Sequence, residues 1–213
     1  MLIKHFKNIS YVTISQIVLS LSIFLLNLIW AREFTSENYG TYKLISSLFS
    51  IMAIFSLSGL NNTLIISSGK NLGKNFKIIY NWKFGSGIIL STLIFIILNN
   101  FKAFTELPLY FTLTISLIFP FYVNNSNWKY YLQGNSEFRK YLQFTFLDLI
   151  AILLITFTYY ILNYSYLTFI IIIILGRTII NNLFNFELFS KVNNIKNIGL
   201  LKDGLKYTPG FIF

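Results

Sequence analysis

Two ionisable residues stand inside long apolar runs, Asp148 in FLDLIAILL and Arg177 in IIILGRTII. A charge held in hydrocarbon costs at least ~2.5 to 3.5 kcal/mol on insertion scales, so each must face a partner or a wet cavity. If both runs are helices crossing in opposite directions, Asp148 lies ~10 Å and Arg177 ~13 Å from the same face of the membrane, at about 1.5 Å per residue. Similar depth on consecutive helices permits an ion pair. Two readings follow: a structural pair joining the fifth and sixth spans, or an anion-facing Arg177 held in place by Asp148. Arg177, Asn181 and Asn185 fall at i, i+4 and i+8 and form one polar stripe, which favours the second reading. A further stripe runs along the first span through Thr13, Gln16, Ser20 and Asn27, as interhelical hydrogen bonding or as the lining of a polar path.

Other chemistry is absent. The chain has no Cys and one His, His5, so thiolate chemistry, disulfides and a His cluster are excluded. No paired carboxylates, phosphate-binding Gly loop or Ser/His/Asp set can be assembled, which argues against an enzyme and implies no cofactor. In the fourth span, Pro120 removes a backbone hydrogen bond and predicts a kink. The run Asn124, Asn125, Ser126 and Asn127 reads as the inner end of that helix, since four consecutive polar residues point in every direction. Gly85 and Gly87 read as positions of close helix packing.

These residues sit in a very apolar chain of 213 residues, 55% hydrophobic, 19% aromatic and 11% charged, with a mean hydropathy of +0.64. A soluble domain covers itself with more charge than that. The apolar residues come in runs long enough to cross ~30 Å of hydrocarbon. Six spans are predicted, at Ile9 to Ala31, Tyr42 to Ser68, Ile78 to Asn99, Leu107 to Leu132, Tyr141 to Asn163 and Tyr166 to Ser190. The first is too long for a signal-peptide core. The fold class is therefore all-α and polytopic, with about six transmembrane helices.

The net charge of +10 belongs to short loops and marks topology and lipid headgroups, not nucleic acid. Thirteen Lys and Arg, Lys70, Lys74, Lys77, Lys83, Lys129, Arg139 and Lys140 among them, fall on one side of the six-span arrangement. Only Arg32, Lys43 and Lys102 fall on the other, with Glu33, Glu37 and Glu106. The positive-inside rule then places both termini in the cytoplasm. Trp30, Tyr110, Tyr159, Tyr160, Tyr164 and Tyr166 are expected at the outer interface, and Trp82, Trp128, Tyr130 and Tyr131 at the inner one.

The stretch from Trp30 to Lys70, WAREFTSENYGTYKLISSLFSIMAIFSLSGLNNTLIISSGK, resembles the first outer loop and second helix of polysaccharide (O-antigen type, Wzx-like) flippases of the multidrug/oligosaccharidyl-lipid/polysaccharide exporter superfamily. Ala31-Arg32, Tyr39-Gly40 with Tyr42, and Phe55, Gly59 and Leu60 carry the likeness; LLKDGLKYTPGFIF, at 200–213, resembles the opening of that family's seventh helix. The resemblance implies transport of a lipid-pyrophosphate-linked glycan across the cell inner membrane by two helical lobes around a central cavity. It gives Arg177 the role of meeting the pyrophosphate. The expected substrate-binding set is Arg177, Asn181, Asn185 and Asp148 with Gln16 and Asn27, and the partners are membrane lipids, the glycan lipid, and a second lobe or glycan-assembly proteins. Residues 1–190 would form one six-helix lobe, and 191–213 a cytoplasmic linker with the start of a truncated seventh helix. The alternatives are a small organic cation antiporter of the same superfamily and a nontransporting scaffold of glycan assembly.

Overall fold

The computed structural model describes residues 2–101, 104, 107–162, 165–190, 192, 195 and 197–208, with side chains from residue 10 onward. Lys102, Glu106, Tyr164, Lys191, Lys196 and 209–213, and the side chains of Lys4, His5 and Lys7, lie outside the described residues. Described elements are helices throughout: α1 (Leu2–Glu33), α2 (Ser36–Phe55), α3 (Leu60–Gly69), α4 (Lys74–Asn100), α5 (Leu109–Tyr122), α6 (Asn127–Gly134), α7 (Phe138–Leu162), α8 (Tyr166–Phe189) and α9 (Ile198–Lys206). Thr35 and Ser165 start α2 and α8 by accepting the amides of Asn38 and Thr168.

The chain is a polytopic, all-α membrane protein. Four helices, in α1, α4, α7 and α8, are each long and apolar enough to cross a bilayer, and α2 with α3 makes a fifth span bent by 63°. Large apolar side chains such as Ile89, Leu117 and Phe157 face outward, as lipid allows and water does not. The expected fourth span is not one helix. Its apolar part, α5, ends two residues beyond Pro120, and α6 restarts after the 123–126 turn.

The expected second and fourth spans are thus both broken, and the breaks divide the core. One cluster, with Leu60, Leu64, Phe76, Trp128, Leu132 and Leu201, joins α3 and α6 to the adjoining ends of α4, α7 and α8 and to α9. Another, with Phe49, Ile94, Leu98, Phe111, Ile115 and Phe119, joins α2 and α5 to the far half of α4 and the start of α8. Leu26, Trp30, Ile152 and Phe169 tie α1 to α7 and α8.

Glycine sets the closest approaches. A Cβ on Gly87 would stand 2.8 Å from Pro120 Cα, so α4 and α5 meet at the residue that breaks α5. Gly134 sits against Ile65 O and Ser68, joining α6 to α3, and Gly204 sits against Thr63, joining α9 to α3. Gly85 has open space around its Cβ position, contrary to the packing role expected of it.

The aromatic assignment also changes. Trp30 and Trp128 are buried, Trp30 edge-on to Tyr42 and Phe169 at 4.8 and 5.6 Å, and Trp128 among Tyr141, Phe144 and Phe184. They are core residues, not interface anchors.

Gly87→Ala forces a methyl group onto the Pro120 backbone and is expected to cost about 1–3 kcal/mol, a fall of several degrees in Tm for a chain of this size. Gly85→Ala should leave Tm within about a degree or raise it, Ala being the better helix former. Thermal unfolding of both variants in detergent checks the contrast.

Candidate functional site

The walls of the site are α1, α2 and α8. A cavity of about 210 Å³ lies between them, closed by Ile152 of α7 and by Tyr122, the last residue of α5. Among its lining residues are Arg177, Lys43, Asn27, Tyr42, Ser46 and Ser50. No Asp or Glu among the described residues lines it.

Arg177 and Asp148 form the expected pair, Nη2 to Oδ2 at 3.2 Å, and they divide its two faces unequally. The carboxylate side chain is 2% exposed, while that of Arg177 is 40% exposed and opens onto the cavity. Asp148 is held by a chain of hydrogen bonds from the core. Trp128 Nε1 donates to Asn181 Oδ1 at 2.7 Å, and Asn181 Nδ2 donates to Asp148 Oδ1 at 3.0 Å. Both carboxylate oxygens are therefore engaged, and Arg177 keeps further N–H donors for the cavity.

Lys43 supplies a second cation. Its Nζ donates to Asn27 Oδ1 at 2.8 Å and lies 5.2 Å from the Tyr39 ring and 5.9 Å from the Tyr42 ring. Among the described residues it forms no ion pair, so the charge not balanced in the cavity wall is that of Lys43. Sequence reasoning placed Lys43 with the outer loops because it began the second span at Tyr42. The helix begins at Ser36, which puts Lys43 on its second turn. The signal available was the Ser/Thr cap at Thr35, seven residues before Tyr42.

Of the other expected residues, Asn27 lies at the cavity as the partner of Lys43. Asn181 and Asn185 are buried and committed to protein, Asn185 Nδ2 to the backbone oxygen of Asn124 at 2.9 Å. Gln16 lies on the exposed surface of α1, eleven residues or ~16 Å before Asn27, and the structure does not bring it to Arg177.

A second polar constellation was missed altogether. Lys83, expected among the inner-side cations near the start of the third span, lies nine residues into α4, is 2% exposed, and donates to Asn61 Oδ1 at 3.0 Å and Asn127 Oδ1 at 2.9 Å. The polar run after Pro120 is likewise not a frayed helix end. Asn124 and Asn127 are fully buried, Asn127 Nδ2 donating to Asn124 Oδ1 at 2.7 Å. Asn182 Nδ2 donates to Phe121 O at 3.2 Å, while its Oδ1 accepts from Tyr80 OH at 2.7 Å. Four adjacent polar residues beside a helix-breaking Pro was the available signal for an interior break.

A family model described as polysaccharide biosynthesis protein matches residues 29–199. The chain belongs to this family. No curated protein and no solved structure matches it. The part matched to the polysaccharide biosynthesis family contains Lys43, Lys83, Asp148 and Arg177, and leaves Gln16 and Asn27 outside.

Removing one partner of a buried ion pair strands the other, so Arg177→Met, which leaves the buried Asp148 carboxylate, is expected to cost about 3–5 kcal/mol. Asp148→Asn leaves a cation that faces the cavity and should cost less. The double variant should recover most of the loss of Arg177→Met. Unfolding of the two single variants and the double one measures the coupling.

Proposed function

We propose that this protein is a flippase component that carries a lipid-linked oligosaccharide across the cytoplasmic membrane during polysaccharide synthesis, without covalent chemistry. The observation that carries this reading is the cavity whose wall holds Arg177 and Lys43 and no acid. A family whose work is polysaccharide biosynthesis handles sugars on anionic lipid carriers, and a cavity rich in N–H donors suits the phosphate of such a carrier. Family membership, the apolar helices and the resemblance of the Trp30 to Lys70 stretch to Wzx-like flippases point the same way.

In this reading Arg177 and Lys43 touch the anionic linker. Arg177 offers a planar fork of donors, and Lys43 supplies the unbalanced charge. Asn27 holds Lys43, while Asp148 and Asn181 hold Arg177. The chain serves as one lobe, with the polar cavity as its contribution to the substrate path. The distribution of Lys and Arg supports an orientation with both termini inside and the α3–α4 and α6–α7 loops at the cytoplasmic face. A small-cation antiporter would need acid exposed in the cavity, and the deep Asp148 is spent on Arg177 and Asn181.

Movement of a fluorescent polyprenyl-diphosphate sugar in proteoliposomes tests the proposal. Arg177→Ala and the paired variant Asp148→Asn/Arg177→Met should abolish transport, and Arg177→Lys should retain some. Lys43→Gln should slow it about tenfold, the worth of one charge-assisted hydrogen bond. Wild-type rates in the paired variant would remove Arg177 from the site, and no flipping by wild-type chain together with its partner lobe would leave a scaffold.

A further inference from the structure

Lys83 does not line the anion cavity, yet it is a costly side chain to bury. The residue is 2% exposed, and the hydrogen-bond partners of its amine group are uncharged amides. Among the described residues no carboxylate pairs with it. A methionine of similar volume would fill the site without the desolvation penalty, so packing alone does not account for a lysine here.

The places of its partners do. Asn61 is the second residue of α3 and Asn127 is the first of α6, so each partner follows directly on the break in its span. One lysine on the continuous helix α4 therefore holds the start of both half-helices. The half-helices also hold each other, through Gly134 of α6 against Ile65 and Ser68 of α3, and both belong to a core cluster that excludes α2 and α5. At the first break Leu57 takes φ 58, a left-handed conformation that strains a non-glycine residue and marks the joint. Beyond the far tips of α3 and α6, a polar cleft of about 430 Å³ separates their loops, with Asn71 and Ser136 in the same left-handed region.

We propose that α3 and α6 form one movable inner gate beneath the anion cavity, hinged at 56–59 and 123–126, and that Lys83 is the pin that keeps it shut. Tyr122 and Ser50, which line the cavity, lie on the fixed side of the breaks, and Asn61 and Asn127 lie on the moving side. The bonds from Lys83 cross from a continuous span to both half-helices, so their loss loosens the two pieces at once, with the apolar packing on α4, α7 and α8 left to resist opening. The gate moves the half-helices alone, whatever the cavity carries.

The natural absence of Cys makes the test direct. Ser67→Cys places a thiol on α3 at a position 1% exposed, and Ser116→Cys places one on α5 at a position 4% exposed. Each is labelled with N-ethylmaleimide in nanodiscs holding the full chain, in wild-type, Lys83→Met, Lys83→Arg and Asn61→Ala backgrounds. The pin predicts that Lys83→Met speeds labelling at 67 about tenfold and leaves labelling at 116 unchanged, as local opening of one unit requires. Asn61→Ala should give a smaller rise at 67 alone, and Lys83→Arg should stay closer to wild type than Lys83→Met does. Equal labelling at 67 with and without Lys83 overturns the proposal. So does a parallel rise at 116, which would make Lys83 a support of the whole fold. If Lys83→Met fails to fold, the result with Asn61→Ala decides by the same criterion. A flipping assay that fails for other reasons leaves these outcomes untouched.

Discussion

A helix that breaks inside hydrocarbon releases backbone oxygens and amides that have no water to turn to, and each must be met by another part of the protein. The turn between α5 and α6 shows how this constraint is satisfied. The oxygens of Phe121 and Asn124 are taken by Asn182 and Asn185, two asparagines on one side of α8. Asn182 is in turn fixed by Tyr80 from α4, whose OH donates to its Oδ1. Between α2 and α3 the repair is local: Ser56 N–H and its Oγ return to the Ala53 oxygen, and Leu57 N–H reaches Phe55 O. Once the breaks are secured, α3 and α6 can lie against each other, and α9 can pack onto α3 where Gly204 meets Thr63.

The same constraint ranks the polar residues of α8. Thr178, Asn181, Asn182 and Asn185 are buried inside the protein, Asn185 bonded through its Nδ2 alone, whereas Arg177 alone of the stripe opens onto the cavity. A ligand-facing group keeps donors free, and a scaffold group does not. By that criterion the stripe read from helical spacing holds one cavity-facing residue and two that are buried against their neighbours.

Helical periodicity and hydropathy made much of the architecture legible, because a span is a local property of some twenty consecutive residues. The Asp148–Arg177 pair was legible too, since two charges at matched depth on consecutive helices leave few other arrangements. The buried place of Lys83 was not. Its partners lie 22 and 44 residues away, on helices that exist as separate pieces only because their spans break. A lysine near the end of an apolar run has the same local signature whether it snorkels to a headgroup or enters the bundle. Trp30 and Trp128 illustrate the same ambiguity: a Trp near the end of a run suits an interface, and the choice of the core depends on aromatic rings contributed by other helices.

The charges also divide the labour within the cavity. Because Asp148 balances Arg177 from behind, bringing an anion to Arg177 does not have to overcome the cost of a bare buried guanidinium when the site is empty. Lys43 can remain unbalanced because its ammonium is held by Asn27 and lies beside two Tyr rings, a setting that compensates a cation without a carboxylate. A second acid in the wall would have cancelled the attraction, and an unpaired Arg177 would have strained the fold. One acid set behind two cations leaves the cavity stable when empty and still attractive to a negative group.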